Sequence, residues 1–521
     1  MSYIVEQKNK GHTYLYEAES YWCPVKKQSR QRRKYLGKKD PETHCPITPR
    51  KLPIVSSALE YGHFYFLKQI AKRIGLISAV QDSFDMNLAE ALLSLAYFQI
   101  LEGKPFYLYG SWCEDLPGIT KLTSQKISNL LHDLGSDDSQ MNHFFHQWAN
   151  TQKPLKGVWL DITSLSSYSQ HNNWVEWGYN RDKEALPQVN LGVLVGGATK
   201  LPFFYQLYPG SIADVSTLHN IALRANDLGF EIATWIMDRG FFSTSNIESL
   251  SEHGYSFITA MPSTLKITQN LLASSQAQLR SPVKSFCLGK EALFYHETTC
   301  TIGTVKLHAY IYLSDKRRTS EMELFIRKME SLEQLIQNMQ FDDIDSAKEW
   351  LNRQWRGSAK FYTITLLADH SIHLKRKRNA LSFRMNRMGK MILITNRQDM
   401  TPKEILDQYR NKDRVEKVYD VLKNSLNEER LRTHTATTMH GKMFVTFLAL
   451  IIQTEITNQL YASTLSKTYT LPEIIMELKK IRLFRRSQNQ PSFISEISKK
   501  QRTIFEKFNL QLPSLTSLST F

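Results

Sequence analysis

Between Gly157 and Met261 the chain spells strand, strand, strand, helix, strand, helix, strand, and few folds accept that order. Val158–Ile162, Gln188–Val195 and Leu201–Tyr208 are three successive apolar runs. The turn Gly196-Gly-Ala-Thr-Lys200 predicts a hairpin between the last two. Helical spacing runs from Val215 to Leu228. A strand comes next that closes on Asp238, then a helix near Thr244–His253 and a strand at Ser256–Met261. Antiparallel strands followed by helix–strand alternation predict an α/β protein with a mixed sheet covered by helices.

Two of these strands end on carboxylates. Asp161 closes Gly157-Val-Trp-Leu-Asp161, and Asp238 closes Ala233-Thr-Trp-Ile-Met-Asp238, with Arg239 next. A third carboxylate, Glu416, lies on an expected helix that opens with Thr401-Pro402-Lys403-Glu404. That opening is a capping box with Pro at the first helical position. On one regular helix Tyr409, Lys412, Glu416 and Lys423 fall within roughly a 60° arc, which predicts a shared face. Such a face is either a solvated surface with spaced charge pairs or a carboxylate flanked by groups that suit a nucleic-acid backbone. Two Asp and a Glu suit Mg²⁺, which prefers a few carboxylate oxygens and shares its other positions with water and phosphate. Two such ions hold both the attacking and the leaving oxygen of an in-line phosphoryl displacement.

Charge narrows the partner. The 521 residues carry a net charge of +16 with a pI near 9.4, so a polyanion is expected, nucleic acid first and a membrane surface second. No apolar run approaches the ~20 residues that span a bilayer. Ala91–Leu101 and Phe444–Ile452 read as core helices, and the N-terminus lacks a signal-peptide pattern, so a cytosolic protein is expected. Cys23, Cys45, Cys113, Cys287 and Cys300 are widely spaced and read as buried free thiols. Residues 1–51 read as short strands with a basic loop, Lys26 to Lys39, either a solvated arm or a phosphate contact. Residues 52–154 read as helical, with Ser124 as an N-cap and a helix pair around the turn 110–123. That pair is either a packing domain or a helix-turn-helix reader of DNA. Asp214 reads as an N-cap or a fourth site carboxylate.

With these residues in view, the chain resembles the DDE transposases of bacterial insertion sequences, specifically the group with a Tyr-Arg-Glu-Lys signature. The spacing of two, three and six intervening residues recurs at Tyr409, Lys412, Glu416 and Lys423. Lys412 stands where the family carries Arg, which keeps the charge and loses the bidentate fork. Further segments fit in the expected order. They include Tyr35–Thr43, Gly178–Asp182, Leu186–Leu194, Leu201–Gly210, Asp238–Ser243 and Met391–Asn396.

The resemblance implies a ribonuclease H-like mixed-sheet catalytic core interrupted by a β-rich insertion, with helical flanking domains. The core is expected at 155–262 and 391–460, the insertion at 263–390, a DNA-binding helical domain at 52–154 and a helical region at 461–521. It implies Asp161, Asp238 and Glu416 as catalytic residues and metal ligands for two Mg²⁺ ions, with Mn²⁺ as a substitute. It implies DNA contacts at Tyr409, Lys412, Lys423, Arg239, Lys375, Arg376, Lys377 and Arg378. The expected partners are double-stranded DNA, as transposon ends and target, and a second copy of the chain in a homodimer. The expected place is the bacterial cytosol and nucleoid. Two alternatives stay open: a metal-dependent nuclease that does not join strands, and an inactive DNA-binding remnant.

Overall fold

Every residue of the first expected strand is buried except Asp161, which places that strand inside a sheet. In the computed structural model, strand β1 spans Val158–Ser167 and so runs on past Asp161, rather than ending there. The residues described are 2–9, 11–41, 43–47, 55–196, 199–337, 339–486 and 492–515. Glu42 of the N-terminal motif and Gly197 and Ala198 of the hairpin turn lie outside them.

The chain divides into two units, 60–481 with 497–513, and 1–59 with 482–496 and 514–521. In the larger unit β1 pairs antiparallel with β2, Gln188–Gly196, and β2 with β3, Leu201–Pro209. Helix α1, Asp214–Asp227, leads to β4, Trp235–Met237, which runs parallel to β1. Helix α2, Thr244–Glu252, leads to β5, Phe257–Ala260, parallel to β4. The strand and helix order expected from the sequence is present, as a mixed sheet.

The sheet then grows in a direction that the sequence does not announce. Strands β6, Ser285–Leu288, β7, Glu291–Ile302, and β8, Val305–Ser314, fall in the stretch expected to form a separate β-rich insertion. They join the core sheet instead, because β8 pairs with β9, Lys390–Thr395, from Leu313–Lys390 to His308–Thr395. The order is β6-β7-β8-β9-β5-β4-β1-β2-β3, and β10, Arg430–Leu431, lies beside β1. Residues Ala309 to Ser314 of β8 are buried on both faces, which a strand in the interior of a covered sheet requires. The rest of the insertion is mainly helical. Helix α3, Asp315–Ile336, and the helix Ile344–Gln354 share a small core with the hairpin Tyr362–Leu366/Ile372–Arg376. Trp350 and Trp355 pack there against Phe341, Phe325 and Phe361.

The expected helical domain is not separate either. Helix Ser124–Ser136, capped by Thr123 and not Ser124, packs along the helix Ala436–Ala462. The approach is backbone to backbone. A Cβ on Gly135 would fall 1.8 Å from the Thr437 carbonyl oxygen, and one on Gly441 2.0 Å from that of Leu131. Ala436–Ala462 is long and apolar enough to cross a membrane, but most of it is buried within this unit.

In the smaller unit Ser2–Asn9, His12–Cys23, Gln28–Lys39 and Pro46–Ile47 form an antiparallel sheet. Most of the expected basic loop is therefore strand. Arg30, Arg32, Arg33 and Lys34 face Tyr21, Glu19, Ala18 and Glu17 across the pairing. Arg482–Arg486 and Phe493–Ile494, read as helical from sequence, are paired strands joined by the stacked rings of Phe484 and Phe493. Cys45 and Cys287 are exposed, against expectation, while Cys113 and Cys300 are buried.

Candidate active site

Register brings the two aspartates together. Leu160 pairs with Met237 across β1 and β4, so Asp161 and Asp238 are the next residues along two parallel neighbours. Strand β4 stops there, and β10 pairs with the same side of β1 only from Ser166 onward. The two carboxylates sit where the sheet opens, at a strand end for Asp238 and in mid-strand for Asp161.

Their surroundings differ. Asp238 Oδ1 accepts the Tyr409 hydroxyl at 2.8 Å and meets Lys412 Nζ at 3.1 Å. Burial pushes the Asp238 pKa up, but the Lys412 charge, the Arg239 amide and the Tyr409 hydroxyl hold it below the ordinary value. Asp161 accepts only its neighbour's amide, Ile162 N–H at 2.8 Å, among the described hydrogen bonds. Burial pushes its pKa up to about 6, and the amide and the charges of Arg181 and Lys412 offset only part of that.

Glu416 stands further out. Its side chain is 62% exposed, and Lys412 Nζ lies 3.9 Å from it. The helix that carries it is not the regular one expected. Helix α4, Pro402–Arg410, has the expected Thr401–Glu404 capping box and then breaks. The Asn411 side chain donates to the Asp407 carbonyl, and the amides of Lys412, Arg414 and Val415 bond three residues back. A side chain that takes a helical carbonyl in this way competes with the main-chain ladder. Helix α5, Asp413–Asp420, resumes and runs into a π-turn at Val421–Ser425. Tyr409, Lys412 and Glu416 still meet, since Lys412 Nζ lies 5.6 Å from the Tyr409 ring centre and 3.9 Å from Glu416, while Lys423, beyond the first residues of the π-turn, has another partner.

Tyr409 and Lys412 converge on Asp238. Tyr409 is only 6% exposed, and its hydroxyl is taken up by Asp238. Lys423 turns away and pairs with Asp182 at 2.5 Å, leaving it 13% exposed. Lys423, which the resemblance makes a DNA contact, is thus occupied here by Asp182. Arg239 is exposed beside Asp238. Lys375, Arg376, Lys377 and Arg378 lie on or just after the insertion hairpin. All four are exposed, and Arg376 is held by Glu333 through two bonds of 2.8 Å.

Some site residues escape a reading of the sequence. Arg181 donates to Ser164 on β1 at 3.2 Å and pairs with Asp214, which is the first residue of α1 and not its N-cap. Tyr419 is buried and donates to the Asp161 carbonyl oxygen at 2.5 Å, which docks α5 on β1. The signal for Tyr419 is its place three residues after Glu416. For Arg181 it is the motif Gly178–Asp182, which gives the residue no role by itself.

Carboxylate oxygens alone form a donor set that suits a hard divalent cation. Among the described residues, no three His, Cys, Asp or Glu side chains are gathered closely enough to cage one. The Lys412 ammonium stands between Asp238 and Glu416, where it neutralises both. The half-buried, incompletely neutralised Asp161 carboxylate is the observation that fits a cation ligand.

The family model for the transposase DDE domain matches residues 152–452, which include all three carboxylates. The chain belongs to this family. No match is found among the curated proteins. Six chains of solved structures match, among them a cryo-EM structure of the piggyBac transposase synaptic complex with hairpin DNA. The identity there is 12% and the TM-score 0.34, over 79% of this chain and 70% of that one. Within the DDE transposase domain, the matched span opens before β1 and closes inside the helix Ala436–Ala462, so the insertion lies within it.

Proposed function

We propose that this transposase cuts DNA at the ends of a bacterial insertion sequence and joins them to target DNA, as a homodimer on paired ends. The observation that carries the reading is the side-by-side placement of Asp161 and Asp238, with Lys412 linking Asp238 to Glu416. Asp161, Asp238 and Glu416 would hold two Mg²⁺ ions, for which Mn²⁺ substitutes. The ions would supply the Lewis acidity that activates a water or a 3′-hydroxyl and steadies the leaving oxygen.

The chain's own residues orient and balance charge. Tyr409 and Lys412 fix the Asp238 carboxylate, Tyr419 docks the Glu416 helix on β1, and Arg239 meets phosphate beside Asp238. For Glu416 to join the two aspartates, its exposed side chain turns inward and Lys412 gives way. None of these groups acts as a covalent nucleophile.

The experiment uses oligonucleotide duplexes copied from the DNA flanking the coding region, with Mg²⁺ or chelator. Cutting at the ends and joined products, both dependent on Asp238, support the reading. Cutting without joining makes the protein a nuclease. Specific binding without cutting makes it a remnant.

A further inference from the structure

Beside Asp238 lies a cavity of about 500 Å³, and six of its lining side chains are cationic against two carboxylates. Lys412 is engaged by Asp238, and Arg317 by Glu321 at 2.6 Å. Arg239, Arg384, Arg387 and Lys390 have no ion-pair partner among the described residues. Crowding cations without counterions is unfavourable, and it becomes useful only when an anion enters.

Arg387 is the clearest case. Its guanidinium carbon lies over the Phe383 ring, 3.7 Å from the ring centre. Nη1 reaches the Ser263 carbonyl oxygen at 3.4 Å, while Nη2 is buried without a hydrogen-bond partner. A buried donor left unsatisfied is costly, so an acceptor brought to this guanidinium would be favoured. Burial and the neighbouring Arg384 charge hold the Arg387 pKa below its ordinary value. Burial does the same to Lys390, with help from Arg318 and Arg280.

The wall is fixed in place. Gly389 takes φ 73°, and a Cβ there would fall 2.5 Å from both the Ser314 carbonyl oxygen and the Arg318 side chain. Only glycine allows the chain to turn so close to the start of α3. Glu321 tightens the turn by accepting the Gly389 amide at 2.9 Å while it pairs with Arg317. Arg387 and Lys390 thus flank a rigid turn, which is how a binding group is held ready.

We propose that this cavity binds one phosphodiester unit of a single DNA strand, the strand that leads away from the phosphate engaged at Asp238. Arg384, Arg387 and Lys390 are its positioning residues. The proposal rests on the reading of this protein as a DNA-cutting transposase. A guanidinium fork suits two phosphate oxygens. The cavity shares Asp238, Tyr409 and Lys412 with the candidate active site, so its occupant continues directly from the reacting phosphate. Met261, Met388 and Met391 give it an apolar side that suits a sugar. Its volume falls in the range of roughly 300–1,000 Å³ for small-ligand sites, enough for one nucleotide unit and too small for a duplex.

The test measures binding of fluorescent end duplex and of a short single-stranded oligonucleotide, in chelator, across a salt series, with cleavage and melting recorded in parallel. Arg384→Glu changes an exposed side chain, so it leaves the core intact. It and Arg387→Ala are expected to weaken oligonucleotide binding about 10-fold or more and to slow cleavage. Each lost phosphate contact lowers the salt slope by about 0.7 for single strands. Arg387→Lys should recover part of the loss. Lys348→Ala with Arg353→Ala, on the exposed face of the helix Ile344–Gln354, serves as the comparison and should change binding less than 3-fold. Unchanged affinity and slope in folded Arg384→Glu and Arg387→Ala overturn the proposal. So does arginine-dependent binding of inorganic phosphate without any binding of the oligonucleotide, or no binding by the unmodified protein. Arginine-dependent oligonucleotide binding by a protein that never cuts supports the subsite and overturns only the catalytic reading.

Discussion

Asp161 and Asp238 occupy adjacent positions on neighbouring strands, yet their electrostatics are opposite. Asp238 has a tyrosine hydroxyl and a lysine ammonium on one oxygen, and its carboxyl is held below the ordinary range. Asp161 has one amide and a half-buried carboxyl that is pushed up to about 6. The fold therefore neutralises one aspartate from within and the other only in part.

The largest effect is expected from removing either side of the pair. Asp161→Ala, Asp238→Ala or Glu416→Ala should each lower Mg²⁺-dependent end cleavage on the order of 10³-fold or more, because the ions supply several kcal/mol of charge stabilisation. DNA binding should remain measurable. Full cleavage by Asp238→Ala would remove the aspartate pair from the chemistry altogether.

Making Asp238 resemble Asp161 is the next test. Lys412→Ala strips the internal cation from Asp238 and Glu416. It should tighten Mg²⁺ binding by roughly 10-fold, read from the Mg²⁺ dependence of the melting temperature, because the competing charge is gone. Cleavage should nonetheless fall, since Asp238 loses its orientation. Lys412→Arg keeps the charge and should keep or improve cleavage. Weaker Mg²⁺ binding by Lys412→Ala would mean that Lys412 organises the site for the ion rather than standing in for it.

Making Asp161 neutral works the other way. Its folded pKa lies above the unfolded 3.8, so ionisation costs stability as pH rises from about 4 to about 6, and the full cost stands at neutral pH. The shift corresponds to up to about 3 kcal/mol. Asp161→Asn should therefore raise the melting temperature in chelator at neutral pH while abolishing cleavage, and lose that advantage once the unmodified protein is given Mg²⁺. A lower melting temperature in chelator would show that the Asp161 charge is already compensated.

The legible part of the sequence was local. The apolar runs, the turn signals and the capping box at Thr401 located strands and helices, mostly to within one or two residues. Both aspartates stood out because each closes an apolar run. Sheet membership was not legible, because nothing in Val305–Ser314 names a partner some 80 residues away. The signature helix failed for a different reason. Residue arithmetic assumes a regular helix, and the Asn411 side chain and the π-turn break it on either side of Glu416. Arg181 and Tyr419 act through backbone and neighbouring side chains across 17 and 258 positions, a pairing only the folded chain displays.

The smallest effect separates the aspartate pair from its surroundings. Lys423 matches the family signature, but here it closes an ion pair with Asp182 in the strap that also carries Arg181, the cation nearest in kind to Asp161's needs. With Lys423 13% and Asp182 28% exposed, the pair is partly shielded from solvent. Lys423→Ala should therefore lower stability by about 1–2 kcal/mol, between an exposed pair and a buried one. Cleavage by the folded fraction should fall only a few-fold, through loosening of the strap. Asp182→Asn should lower stability similarly, and the double variant should cost no more than either single one, since the two changes remove the same contact. The comparison needs melting curves and single-turnover cleavage on the same preparations. A 100-fold cleavage loss in Lys423→Ala with unchanged melting would place Lys423 on the DNA, and the ion pair with Asp182 would then be a resting arrangement that substrate displaces.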